Sequence, residues 1–244
     1  MPIFYAGAVD GKHVQIQAPK LSGSSFFNYK RTFSTILMAV CDDDYRFTYI
    51  DVGSYGKEHD SSVFAQSEFG KRLADGSLNL PSPPADLPFV FVGDEAFLLR
   101  PNMMRPFPGA NLDETRQIFN HRLSRARRVI ENTFGILVTK WRIFRQPIVA
   151  KPKTVDLIVK AACVLHIFLR RLDGVSNDRQ YIPQSDVDQY VDGEVNPGAW
   201  RAEVQALSHI GDPSPATPTR ATQQRCGKGM RSTSCHLGDR CRGG

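Results

Sequence analysis

Residues 3–18 read IFYAGAVDGKHVQIQA. The apolar run IFYAGAV (3–9) reads as a buried strand ending at Asp10. Alternation from His13 to Ala18 carries it past Gly11. Outward from here, PKLSGSSFFNYKR (19–31) is rich in turn formers and reads as a loop. Thr32 to Cys41 (TFSTILMAVC) forms a second strand, and Asp42-Asp43-Asp44 a solvated turn. Tyr45 to Val52 (YRFTYIDV) alternates and forms a third strand. The short turns favour an antiparallel meander.

Asp60-Ser61-Ser62 opens a helix over VFAQSEFGKRL, with Asp60 as a capping acid, and Gly76 closes it. LPSPPADLP (80–88) is a Pro-rich loop, and Phe89 to Val92 (FVFV) a short buried strand ending at Gly93-Asp94. Residues 100–112 form a loop with room for one short strand. From Asp113 to about Phe144, Phe119, Leu123, Ala126, Ile130, Phe134, Leu137, Trp141 and Phe144 recur every three or four residues, which predicts a long helix with a bend or break at Gly135. Thr154 to Leu172 predicts a second amphipathic helix. The order of three strands, helix, strand and helices predicts an α/β fold: a mixed sheet with helices packed on its faces.

The long helix is basic. Between Arg116 and Arg145 lie Arg122, Arg125, Arg127, Arg128, Lys140 and Arg142, and Glu131 is the only acid. Sites in α/β sheets gather beyond strand ends. If the first and fourth strands are neighbours, Asp10 and Asp94 converge, and a helix crossing the sheet brings in Glu131. Converging carboxylates repel one another unless a cation lies between them. Oxygen ligands suit Mg²⁺ or Mn²⁺, and two such ions would clamp both oxygens of an in-line phosphoryl displacement. The alternative is structural: acids at strand ends are often caps, and Arg–Glu pairs on a helix are often surface pairs. Lys12, Arg122, Arg125, Arg127 and Arg128 are candidates for DNA phosphate contact. His121 is a further candidate for DNA backbone contact; His13 and His59, near the predicted site, are candidates for proton transfer or phosphate contact, with a structural hydrogen bond as the simpler role.

The formal net charge of +6 and pI of about 9.1 suit an anionic partner without establishing one. Charges interrupt the longest apolar stretch, Val155 to Leu172, so no membrane span is expected. MPIFYAGAVDGKH lacks a basic leader and a typical cleavage site, which argues against a secretory signal. Its start within a strand suggests that an N-terminal segment is missing. Five cysteines, an odd number at scattered spacing, argue against a disulfide framework and for an intracellular compartment. Cys226, Cys235, His236 and Cys241 lack the close pair of a structural zinc site. Residues 211–244 are dominated by Gly, Pro, Ser, Thr and Arg, and the whole stretch 184–244 is expected to be a disordered polar and basic tail.

Several pieces together resemble one family. AVDGKHV (8–14), SGSSFFNYKRTFSTILMAVCD (22–42), DVGSYGKEHDSSVF (51–64), VGDEAFLL (92–99), MRPFPG (104–109), FNHRLSRARRVIENTFGIL (119–137), WRIF (141–144) and CVLH (163–166) stand in the order seen in the DDE endonuclease domain of PIF/Harbinger transposases and the nucleases derived from them. The resemblance implies a ribonuclease-H-like domain over residues 1–183, with helices on both faces of the sheet. It implies Asp10, Asp94 and Glu131 as catalytic, metal-binding carboxylates, and DNA cleavage with strand transfer. It further implies a Myb-like DNA-binding partner and a nuclear location, with a cytoplasmic pool where that partner is absent. A homo-oligomer is also expected. The chain departs from the family in lacking the usual N-terminal region and in reading Leu165-His166-Ile167 where the family has LHN. These departures keep a second reading open: a non-catalytic DNA-binding or protein-interaction module on the same fold.

Overall fold

The computed structural model describes residues 4–80, 89–173, 180–191 and 194–210. Five strands, β1 (Phe4–Gln15), β2 (Ser34–Cys41), β3 (Phe47–Tyr55), β4 (Phe89–Val92) and β5 (Met103–Met104), form one sheet in the order β3-β2-β1-β4-β5. β1, β2 and β3 are antiparallel neighbours, as the meander requires, whereas β4 runs parallel to β1 and to β5. The sheet is therefore mixed, and the fold is α/β and ribonuclease-H-like. β1 runs through Asp10 to Gln15, as the alternation beyond Gly11 suggested, because Asp10 to Gln15 stay paired with β2.

Helices α1 (Asp60–Gln66) and α2 (Glu68–Asp75) pack on one face, against a core of Val9, Ile36, Met38, Val40, Phe91 and Phe97. The expected single helix over this stretch is broken at Ser67. Its backbone is extended, and its Oγ accepts a hydrogen bond from the Gly70 amide, so it caps α2 rather than continuing α1. Gly76, at φ 77°, ends α2.

Helices α3 (Glu114–Lys140) and α4 (Pro152–Leu172) cover the other face, where Ala8, Leu37, Ala39, Cys41, Ile130, Phe134, Leu137, Val155 and Val159 share a core. α3 starts at Asp113, whose carboxylate accepts from the Arg116 amide. It ends at Lys140, before a 3-10 turn over Arg142–Arg145, short of the predicted Phe144. Gly135 neither breaks nor bends it into separate helices; its bare backbone instead receives the indole of Trp200.

The tail begins later than expected. Gln184–Asp186 form a 3-10 turn, β6 (Gln189–Val191) pairs with β7 (Glu194–Asn196), and α5 (Ala199–Ile210) packs on α3. Ile182 and Val187 are buried with Ile136 of α3, which anchors this segment by apolar area. The Pro-rich loop at 81–88, the cysteines beyond 211 and the remainder of the expected tail lie outside the described residues.

Candidate metal centre

The β1–β4 pairing ends at Ala8 and Val92, and Asp10 and Asp94 each follow two residues later. Parallel strands in register thus set the two acids side by side at one sheet end. Beyond Val92 the chain turns away, with the Asp94 carboxylate accepting from the Ala96 amide at 2.9 Å. A cleft of about 230 Å³ opens beside Asp10, lined by Lys12, His13, Lys30, Asp60, Glu131 and Trp200 among others. Asp94 does not line it, but its charge reaches both Asp10 and Asp60.

Electrostatics single out Asp10. Burial, followed by the charges of Asp60 and Asp94, pushes its carboxyl up to about 7, against the pull of the Gly11 amide and of Arg127. Asp60 is raised in the same way, by burial and by Asp94. A neighbouring cation would reverse both effects. Lys12 runs the other way: burial and Lys30 lower its amine to about 8, while Asp10 supports its charge. Its Nζ lies 5.8 Å from the centre of the Phe134 ring.

Glu131 enters the same cleft from α3, but its carboxylate is engaged. Arg127 pairs with it at 2.8 Å, and Arg201 of α5 at 3.4 Å. Arg201 also pairs with Asp188, whose side chain is fully buried, and Arg128 reaches Asp188 at 3.5 Å. Burial works against the Asp188 charge, yet hydrogen bonds from Arg201 and the Gly198 amide keep its carboxyl below the usual range. Trp200 donates to Asn132 at 2.8 Å, so the helix carrying Arg201 is fixed beside Glu131.

Among the described residues, no group of three or more acids, histidines or cysteines is drawn tightly enough to hold a metal ion. The donor set nonetheless fits one. Asp60 and Asp94 raise the proton affinity of Asp10, Asp94 raises that of Asp60, and the Asp60 Oδ1 is buried without a hydrogen-bond partner among the described residues. Such repulsion is what a divalent cation relieves.

The other sequence candidates divide. His13 shares a hydrogen bond with the Ser34 hydroxyl at 2.9 Å, a structural role. His59 precedes α1 without capping it through its side chain. Arg122, Arg125 and His121 are exposed on α3 and do not line the cleft. Sequence reasoning missed Trp200 and Arg201, which fell in the expected tail; the amphipathic stretch AWRAEVQALSHI was the available signal. It also read Asp60 as a cap, although His59-Asp60 lies inside one of the motifs that carried the resemblance.

A family model described as DDE superfamily endonuclease matches residues 9–166. The chain is 28% identical to "Protein ALP1-like" of Arabidopsis thaliana over 73% of its own length and 46% of that protein. It is likewise 28% identical to "Putative nuclease HARBI1" of Homo sapiens and of Bos taurus, over 66% of its length and 44% of theirs. The chain thus spans just under half of the curated relatives it matches. No solved structure matches it. No helix among the described residues is long and apolar enough to cross a membrane.

Proposed function

Because this chain belongs to the DDE superfamily endonucleases, we propose that it cleaves DNA phosphodiester bonds by in-line displacement, with Asp10, Asp94 and Glu131 as its working carboxylates. The observation that carries this reading is the register of β1 and β4. Asp10 lies on β1 and lines the cleft that Glu131 also lines, and Asp94 follows the neighbouring strand β4 by two residues.

Bound Mg²⁺ or Mn²⁺, as a pair, would favour ionisation of the attacking hydroxyl and stabilise the leaving 3′-oxygen. The chain's own residues do the rest. Asp10 and Asp94 hold negative charge at the sheet end. Glu131 supplies a third carboxylate once it exchanges its arginine partners for the cation. Lys12, inside the cleft, faces the phosphate. Arg127 and Arg128, now in ion pairs on α3, lie within a turn of Glu131, and Arg122 and Arg125 offer exposed charge to the DNA backbone. Strand transfer uses the same geometry with a 3′-hydroxyl in place of water. A Myb-like DNA-binding partner, a second copy of the chain and a nuclear site of action belong to this reading.

The test is cleavage of a DNA duplex with Mg²⁺ or Mn²⁺ by the wild type and by Asp94→Asn. Cleavage by the wild type alone supports the reading; equal cleavage by both rules out this active site.

One observation favours a second reading, a non-catalytic DNA-binding or protein-interaction module: Glu131 is neutralised by Arg127 and Arg201. A folded chain that takes up no Mn²⁺, and whose DNA affinity is unchanged by Glu131→Gln, would support that module instead.

A further inference from the structure

We propose that Asp60 is a fourth carboxylate of this centre, placed to share the divalent cation with Asp10 and Asp94. The inference rests on the metal-dependent reading above.

Three observations carry it. The first is position. Asp60 lies on α1, on the other side of the sheet from α3, yet it reaches the cleft that Asp10 lines. It does so over Gly11, where any Cβ would overlap its carboxylate. Glycine next to Asp10 is therefore the opening through which a second acid approaches.

The second is the missing partner. The chain satisfies its capping acids and hydroxyls elsewhere: Asp113 accepts from Arg116, and Ser67 from Gly70. Asp60 does not behave as a cap. It is the first residue of α1, its Oδ1 is buried, and that oxygen has no hydrogen-bond partner among the described residues. A favourable helix dipole at this position is a weak stabilisation and leaves the buried carboxylate oxygen without a hydrogen-bond donor.

The third is the company it keeps. Asp94 acts on Asp60, and Asp60 on Asp10, with the sign that disfavours charge. His59 and Lys30 offset this through space. An oxygen donor without a partner, beside two more carboxylates, is complementary to a hard cation.

The experiment titrates Mn²⁺ into the full chain by calorimetry and follows melting with and without the ion. It compares the wild type with Asp94→Asn, Asp60→Asn and Gly11→Ala. Asp60→Asn should lower Mn²⁺ affinity at least tenfold and, by removing repulsion, raise the melting temperature of the metal-free protein. Gly11→Ala keeps every charge but displaces the Asp60 carboxylate, and should also lose Mn²⁺ affinity. A merely structural Asp60 would give the opposite pattern, lower metal-free stability with affinity within twofold of wild type, and that overturns the proposal. Loss of binding in Asp94→Asn with full binding in Asp60→Asn and Gly11→Ala overturns it while leaving the metal-dependent reading intact. A wild type that binds no Mn²⁺ overturns both.

Discussion

Arg201 of α5 reaches the Glu131 carboxylate at 3.4 Å while pairing with buried Asp188. A residue from the C-terminal segment thus stands as a counter-charge to the third acid of the candidate centre. Replacing it separates two consequences. Arg201→Met leaves Asp188 with only Arg128 and the Gly198 amide and should destabilise the fold by about 1–3 kcal/mol, the cost of a buried carboxylate losing its main hydrogen-bond partner. It also releases Glu131, so Mn²⁺ affinity should rise severalfold. Urea denaturation and calorimetric titration read the two effects, and unchanged affinity would mean that Arg201 does not compete with the ion.

Trp200 packs directly on Gly135, leaving no room for a Cβ. Gly135→Ala improves helix propensity by about 1 kcal/mol, but it should push α5 off α3. The chain has two tryptophans, Trp141 and Trp200, so the Trp141→Phe background isolates the reporter. There, Gly135→Ala should shift the emission of Trp200 to the red. An unshifted spectrum would show that α5 accommodates the methyl group in place.

His166 is fully buried; its Nε2 donates to the Tyr45 carbonyl at 2.7 Å and its Nδ1 shares a hydrogen bond with the Tyr181 hydroxyl at 3.0 Å. Burial is the main cause of its lowered proton affinity; Arg170 adds to the lowering, while the Tyr45 carbonyl and Asp173 oppose it. The unfolded chain then binds a proton that the folded chain refuses. This contribution is complete above about pH 6.5 and is lost as pH falls through the lower folded value. His166→Phe should cost about 1–3 kcal/mol at neutral pH through its unsatisfied partners and flatten the loss of stability just below about pH 6.5. Denaturation midpoints across that range check it; an unaltered slope would assign the acid sensitivity elsewhere.

Arg122 and Arg125 are exposed on α3. If both meet phosphates, Arg122→Ala with Arg125→Ala should reduce the slope of log binding constant against log salt by about 1.8, roughly 0.9 per contact. Fluorescence anisotropy with a labelled duplex measures it, and an unchanged slope would place the DNA on another surface.

Much of this architecture was legible because its signals are local. Apolar runs and alternation marked the first four strands, and three-and-four spacing marked α3 and α4. The adjacency of β1 and β4 was stated only as a condition, since a parallel pairing leaves no short-range turn to announce it. The break at Ser67 was missed because capping residues inside an amphipathic stretch look like ordinary surface. Residues 184–191 and 194–210 were missed because their anchoring is tertiary: Trp200 on Gly135, Val187 on Ile136, Arg201 between Glu131 and Asp188. No periodicity ties those partners together. Asp60 was read by the commonest role of an acid before a helix, and only burial without a hydrogen bond set that role aside.

Carboxylates from β1, the loop after β4 and α3 are expected to share a divalent cation. Crystals of the chain grown with Mn²⁺ and measured at the manganese absorption edge test it most directly. Anomalous density is expected between Asp10 and Asp94, with Glu131 turned from Arg201 toward the ion. Manganese absent from that sheet end, with Glu131 still paired to Arg201, would contradict it.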